Sequence, residues 1–117
     1  MARSEQCQTC DAAGMSKHAI FAKFTAQPGK GEELVEALSP MFDTVPGEPG
    51  TEVYVLHTSP NEPDVVWFYE IYTDDASFKS HGGSDAFKGV MAKAGPLLSG
   101  RPEVTFGSPR NAKGVAV

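Results

Sequence analysis

The run from Val65 to Tyr72 carries the strongest hydrophobic pattern in the chain, because every position in it except Glu70 is apolar or aromatic. It is rich in β-branched and aromatic residues and too short for a typical helix, so it predicts a central β-strand. Successive side chains alternate between the two faces of a strand. One face then holds Val66, Phe68, Glu70 and Tyr72, and the other holds Val65, Trp67, Tyr69 and Ile71. Both faces therefore need cover, and we assign the Glu70 face to the helices.

Alternation, helical spacing and turn residues predict the remaining elements in the order β-α-β-β-α-β. Before the central strand they are a strand at 18–26, a helix from Glu32 broken near Ser39 by Pro40, a strand at 51–58 and a polar turn at 59–64. After it they are a helix capped by Thr73 or Asp74 and ended at 81–83, a helix capped by Ser84 or Asp85, and a strand at 101–107. This order predicts an α+β, ferredoxin-like fold with a four-stranded antiparallel sheet.

Length and charge limit the organisation and the partners. With 117 residues, of which 40% are hydrophobic, the chain predicts one domain at 18–109, between a flexible leader at 1–17 and a tail at 110–117. A net charge of −5 with scattered basic residues argues against nucleic acid or an anionic membrane as partner. No apolar run is long enough for a signal peptide or a membrane span, so we expect a cytoplasmic protein.

Cys7 and Cys10 form the one Cys-x-x-Cys motif in the chain. A zinc site would need two further ligands at a defined spacing, and the three histidines are widely dispersed. We therefore interpret the two thiols as incidental residues of the leader and predict no metal site.

Two side chains near the central strand are candidates for chemistry. Glu70 is a carboxylate in an otherwise apolar strand, and it must be paired there or serve as a working acid or base. His81 lies at the end of the helix that follows, where it can reach back over the sheet. A histidine is suited to accept a proton near neutral pH, so His81 is the candidate base.

A fold with both helices on one face of the sheet leaves the other face uncovered. A face carrying Trp67, Tyr69 and Ile71 would exceed the apolar patch that monomers usually expose. We therefore expect a homodimer in which the two sheets pack together and bury Trp67 and Ile71.

Several segments together resemble one known family. They are the first strand with its Pro-Gly-Lys turn, the Phe-Tyr-Glu-Ile-Tyr strand running into Asp74-Asp75-Ala76, His81 on the helix, and Leu-Leu-Ser-Gly before the last strand. From Met15 to about Pro109 the chain resembles the antibiotic biosynthesis monooxygenase family of dimeric α+β barrels. The resemblance implies one of three activities: cofactor-independent oxidation of quinols or anthrones, processing of autoinducer-2 phosphate derivatives, or haem degradation.

The resemblance also argues against the haem-degrading branch. The iron-ligating histidine of that branch falls near Val90, its tryptophan falls at Tyr72, and its first-strand asparagine has no counterpart at 18–26. Because haem chemistry depends on a specific ligand set, we do not expect haem.

The leading hypothesis is a cofactor-independent monooxygenase that oxidises a phenolic or quinol-type aromatic with O₂. Such a substrate supplies the electrons once it is deprotonated, so the protein needs a base, an oxyanion donor and a dry pocket. We assign His81 as the base, Glu70 as its orienting partner or an alternative base, and Tyr72 or Tyr54 as the donor. The predicted pocket wall consists of Phe24, Phe68, Tyr72, Phe78, Phe87 and Met91.

Two other hypotheses remain open. An isomerase of a phosphorylated enolisable ketone would use the same base without oxygen and would need cations, for which Lys23, Lys79, Lys88 and Arg101 are available. A noncatalytic protein that binds a small ligand could use the same scaffold, since fold does not determine function. The noncatalytic hypothesis becomes better than the enzymatic ones if side chains fill the expected pocket.

Overall fold

A computed structural model describes residues 17–117. The predicted leader, with Cys7 and Cys10, lies outside these residues except for Lys17. The strands are β1 (His18–Thr25), β2 (Thr51–Ser59), β3 (Glu62–Tyr72) and β4 (Glu103–Gly107). The helices are α1 (Gly31–Leu38), α2 (Met41–Thr44), α3 (Asp75–Gly82) and α4 (Asp85–Ala94). Two 3₁₀ turns lie at Val45–Gly47 and Gly95–Leu97. All strand pairs are antiparallel and the strand order is β2-β3-β1-β4. The predicted ferredoxin-like α+β fold is confirmed.

β3 is an interior strand, and its two faces separate as the alternation predicted. Val66, Phe68 and Tyr72 are buried on the helix side together with Glu70. They join a core to which α1 contributes Leu34 and Leu38 and α4 contributes Val90 and Ala94. Within residues 17–117, no helix has the length and apolarity needed to cross a bilayer.

The opposite face of the sheet is only partly exposed. Trp67, Phe21 and Val55 are exposed there, and the Lys23 ammonium lies 5.4 Å from the centroid of the Trp67 ring. Ile71, in contrast, is 1% exposed within the chain itself. The expectation that a second subunit buries Ile71 is corrected, because this side chain is already buried within a single chain.

Two strand boundaries differ from the prediction by more than one residue. β3 begins at Glu62, so the polar turn is shorter than 59–64 and Pro63 lies inside the strand. This is tolerated because the β2–β3 ladder is irregular between Thr58 and Ser59, where a proline need not donate a ladder hydrogen bond. β4 begins at Glu103 rather than at 101, immediately after a proline.

The N-terminus of α1 is capped by a residue from β3 rather than by its own sequence. Lys30, at the N-cap, makes no side-chain capping bond. Instead the Asp64 carboxylate accepts hydrogen bonds from the backbone N–H groups of Gly29 at 3.0 Å and Gly31 at 2.9 Å. A Cβ at Gly31 would lie 1.9 Å from the Pro63 carbonyl oxygen, so glycine is required for this close approach. α1 is thereby joined to the start of β3.

Replacing Asp64 with alanine is expected to destabilise the fold by about 0.5–2 kcal/mol, the usual cost of losing a helix N-cap. The change leaves two backbone donors at the start of α1 without their partner. Urea unfolding should show a lower midpoint with an unchanged slope. Glu36→Ala, an exposed change on the same helix, is the control and should stay within about 0.5 kcal/mol of wild type. Equal stability of the two variants would contradict the capping role.

Candidate functional site

A cluster of polar side chains is buried between the helices and the sheet. Glu70 and Tyr72 point from β3 to the same side, and the Tyr72 hydroxyl donates a hydrogen bond to Glu70 Oε1 at 2.5 Å. Tyr54 is the partner of Glu70 in the β2–β3 register, so its ring lies on the same face. The sheet thus brings one carboxyl group and two phenols together, as the shared parity predicted for Glu70 and Tyr72.

His81 reaches this cluster from α3. The Asp74 carboxylate caps the helix by accepting from the Ser77 N–H at 2.8 Å, and the Ser84 hydroxyl donates to the His81 carbonyl at 2.7 Å. The side chain of His81 is only 4% exposed. Its ring centroid lies 5.3 Å from that of Tyr54, 5.4 Å from that of Tyr72 and 5.3 Å from that of Phe87. The imidazole is therefore held among three aromatic rings.

The carboxylate bonded to His81 is that of Glu48, which the sequence analysis did not single out. His81 Nδ1 lies 2.8 Å from Glu48 Oε1, and the Thr51 hydroxyl donates to the same oxygen at 2.7 Å. The hydrogen-bonding partner expected for His81 was Glu70, which is instead bonded to Tyr72. Glu48 lies 33 residues from His81 in a Pro-Gly turn, so no spacing rule could have linked the two.

Burial sets the proton affinities of the cluster. Burial raises the pKa of the Glu70 carboxyl, while the Tyr72 hydrogen bond and the nearby His81 act in the opposite direction. Burial, reinforced by the Glu70 charge, also raises the pKa of Tyr54 and of Tyr72 well above the usual phenol range. Both tyrosines therefore keep their protons and can act as hydrogen-bond donors, and Glu70 holds a proton more readily than an exposed carboxyl does.

A cavity of about 370 Å³ adjoins the Glu48–His81 pair. Its lining comes from the turn before β2 and from α3 and consists of Gly47, Glu48, Pro49, Gly50, Thr51, Asp74, Ala76, Ser77, Ser80 and His81. These residues include two carboxylates and several hydroxyls but neither lysine nor arginine. A second cavity of about 320 Å³ lies between α1–α2 and α4 and does not include His81.

The aromatic residues predicted to wall the pocket line neither of these two cavities. They pack on one another instead: Phe24 on Phe68 at 5.6 Å between ring centroids, Tyr54 on Phe68 at 5.1 Å and Tyr72 on Phe78 at 5.4 Å. Phe87 and Met91 lie against the core. The structure thus joins Tyr54, Glu70, Tyr72 and His81 in one cluster and places the cavity beside that cluster.

The four cations considered for phosphate binding do not converge on this cavity. Lys79 is paired with Asp75 at 2.9 Å, Lys23 lies over Trp67, and Lys88 and Arg101 are absent from its lining. Among residues 17–117, no group of three or more His, Cys, Asp or Glu side chains is arranged to hold a metal ion.

Comparison with known proteins gives a consistent result. The model of the antibiotic biosynthesis monooxygenase family matches residues 18–93. A candidate antibiotic biosynthesis monooxygenase from Caulobacter crescentus CB15 is 28% identical with a TM-score of 0.76, covering 86% of this chain and 96% of that chain. Protein SO0527 from Shewanella oneidensis is 28% identical with a TM-score of 0.74, covering 81% of this chain and 92% of that chain.

A candidate member from Chloroflexus aurantiacus J-10-fl, at 24% identity and a TM-score of 0.74, supports the same fold; it covers 86% of this chain and all of that chain. No curated protein sequence matches this chain.

The Glu70→Gln variant is expected to lose less stability than wild type as pH rises. Because burial raises the pKa of Glu70 above its ordinary value of 4.5, the folded protein binds a proton there more tightly than the unfolded chain does. The stability contributed by Glu70 is therefore full below the ordinary pKa and falls as pH rises toward the raised one. Urea unfolding at about pH 5 and about pH 7 should show wild type losing more stability than Glu70→Gln.

The exposed Glu36→Gln is the matched control and should follow wild type at both pH values. A stability difference between wild type and Glu70→Gln that stays constant with pH would show that the proton affinity of Glu70 is the same in the folded and unfolded chains.

Proposed function

Since this chain belongs to the antibiotic biosynthesis monooxygenase family, we propose that it is a cofactor-independent monooxygenase that oxidises a phenolic or quinol-type aromatic with O₂. The observation that carries this proposal is the buried His81, bonded to Glu48, lining a cavity next to two protonated phenols. In the reaction the substrate exchanges two hydrogens for one oxygen atom of O₂, and the second oxygen atom leaves as water with those two hydrogens.

The proposed roles follow from proton affinity and position. His81 accepts the phenol proton, because the resulting phenolate is a much better electron donor to O₂ than the neutral phenol. Tyr54 keeps its proton and its ring lies 5.3 Å from the imidazole, so it can donate a hydrogen bond to the developing oxyanion. The proton of the Tyr72 hydroxyl is already donated to Glu70. Glu70 is the alternative base and lies within hydrogen-bonding distance of Tyr72.

The cavity supports an uncharged substrate rather than a phosphorylated one. A phosphate is normally held by arginine or lysine, and this lining offers the carboxylates of Glu48 and Asp74 instead. The isomerase of a phosphorylated ketone therefore has no support in this cavity. At about 370 Å³ it is near the lower end of the range for ligand pockets, which favours a small aromatic ring system.

One observation favours a second candidate, a protein that binds a small ligand without converting it. The space between the sheet and the helices, where a substrate was expected, is occupied by packed rings such as Phe24, Phe68 and Tyr54. A ligand would then occupy only the cavity at the turn and α3. Binding of an aromatic without oxygen uptake would support this candidate.

We further propose that the chain acts as a homodimer joined through the open face of the sheet. Trp67, Phe21 and Val55 are exposed on this face and lie near one another on three paired strands. Burying such an area against a second copy would supply the layer that the helices do not provide.

Trp67→Glu is expected to dissociate this dimer, because the change places a carboxylate in the apolar contact. Sedimentation at micromolar concentration should show a dimer for wild type and a monomer for the variant. Phe42→Glu is the matched control, since Phe42 is also 38% exposed but lies on the helix-covered side, and it should remain dimeric. A wild-type chain that sediments as a monomer would rule out this interface.

His81→Ala is expected to lower oxygen-dependent turnover by about 10²–10⁴-fold, the usual contribution of a general base. The assay is oxygen uptake with a panel of quinols and anthrone-like phenols, without added metal, flavin or nicotinamide. Glu70→Gln should lower turnover less than His81→Ala does if His81 is the base. It should lower turnover as much or more if Glu70 is the base. Uptake by wild type that neither change reduces would refute the residue assignment.

A further inference from the structure

The turn from Glu48 to Thr51 is held firmly against α3. The Thr51 N–H donates to the Glu48 carbonyl at 3.1 Å, and the Gly50 carbonyl accepts from the Thr73 N–H at 2.9 Å. A Cβ at Gly50 would lie 2.1 Å from Ser77 Oγ, so only glycine lets the turn approach the helix this closely. Pro49 restricts the backbone in the middle of the turn. The position of Glu48 relative to α3 is therefore determined by the backbone.

The side chain of Glu48 is also oriented. Its Oε1 accepts from the Thr51 hydroxyl at 2.7 Å and lies 2.8 Å from His81 Nδ1. The Glu48 side chain is 20% exposed and that of His81 is 4% exposed, so water has little access to the contact. An ionised carboxylate can only accept hydrogen bonds, so the proton in this contact belongs to Nδ1.

The other groups around the imidazole do not compete for that nitrogen. Glu70 accepts the hydrogen bond of the Tyr72 hydroxyl, and the Tyr54 and Phe87 rings are tilted against the imidazole at centroid distances of 5.3 Å. A neutral imidazole carries one proton, so a proton held on Nδ1 leaves a lone pair on Nε2.

We propose that Glu48 is a positioning residue that keeps the His81 proton on Nδ1 and so makes Nε2 the nitrogen that accepts the substrate proton. This inference rests on the proposed role of His81 as the base. It predicts that the tautomer of His81, and with it the activity, depends on a carboxylate that lies in a distant turn and takes no proton from the substrate.

The test measures the tautomer directly and does not require turnover. Long-range ¹H–¹⁵N spectra of uniformly ¹⁵N-labelled full-length protein distinguish a protonated from an unprotonated ring nitrogen, and the His81 signals are identified by their loss in His81→Asn. At a pH where the ring is neutral, wild type should carry the proton on Nδ1. In Glu48→Gln, whose carboxamide can donate to Nδ1, the proton should move to Nε2.

Oxygen uptake provides the second readout. Glu48→Gln should lower kcat by about 10²–10⁴-fold, because the nitrogen that accepts the substrate proton would already be protonated. Glu52→Gln is the matched control: Glu52 is bonded to Lys17 and Thr73 outside the site, so its replacement should leave both the tautomer and kcat unchanged.

A wild-type ring protonated on Nε2, or a tautomer that Glu48→Gln does not change, would overturn the inference. If Glu48→Gln does not fold, the wild-type tautomer decides alone. The predicted tautomers together with no oxygen uptake on any phenol would support the positioning by Glu48 and refute the proposed oxidation, so the two failures can be told apart.

Discussion

The hydrogen bond from Tyr72 to Glu70 is the interaction on which the candidate site depends. Glu70 lies on an interior strand beneath two helices, where an unpaired carboxyl would cost several kcal/mol. The neighbouring phenol on the same face of β3 provides the partner that makes this burial tolerable. Glu70 is thus bonded to Tyr72, while the imidazole of His81 is bonded to a different carboxylate, that of Glu48.

That second carboxylate makes the site a product of three separate parts of the chain. β3 supplies Glu70 and Tyr72, α3 supplies His81, and the turn before β2 supplies Glu48. The close approach of Gly50 to Ser77 brings the turn and α3 together, and the same turn and helix line the cavity. A change in the packing of α3 on this turn would therefore alter the imidazole and the cavity at once.

The two faces of the sheet differ in what covers them. The helix side carries α1 and α4 and contains the polar cluster. The other side exposes Trp67, Phe21 and Val55 although Ile71 on the same face is already buried. The apolar area available for a partner is thus smaller than the alternation of β3 alone suggests, and it is centred on Trp67.

The sequence by itself determined the order of the elements and the residues of β3 that share a face with Glu70. It narrowed the cap of α3 to Thr73 or Asp74 and that of α4 to Ser84 or Asp85, and the structure shows Asp74 and Ser84. These features depend on local propensity and on alternation within a few residues. Residues matching the family were also visible in the sequence, because they lie in contiguous motifs.

Tertiary structure alone decided which groups touch. The pairing of His81 with Glu48 and the capping of α1 by Asp64 each join residues that are far apart in the chain. The burial of Ile71 is likewise a property of the folded chain. The location of the cavity likewise depends on how the turn before β2 packs on α3. Periodicity describes only one element at a time, so it cannot predict contacts that arise when several elements pack together.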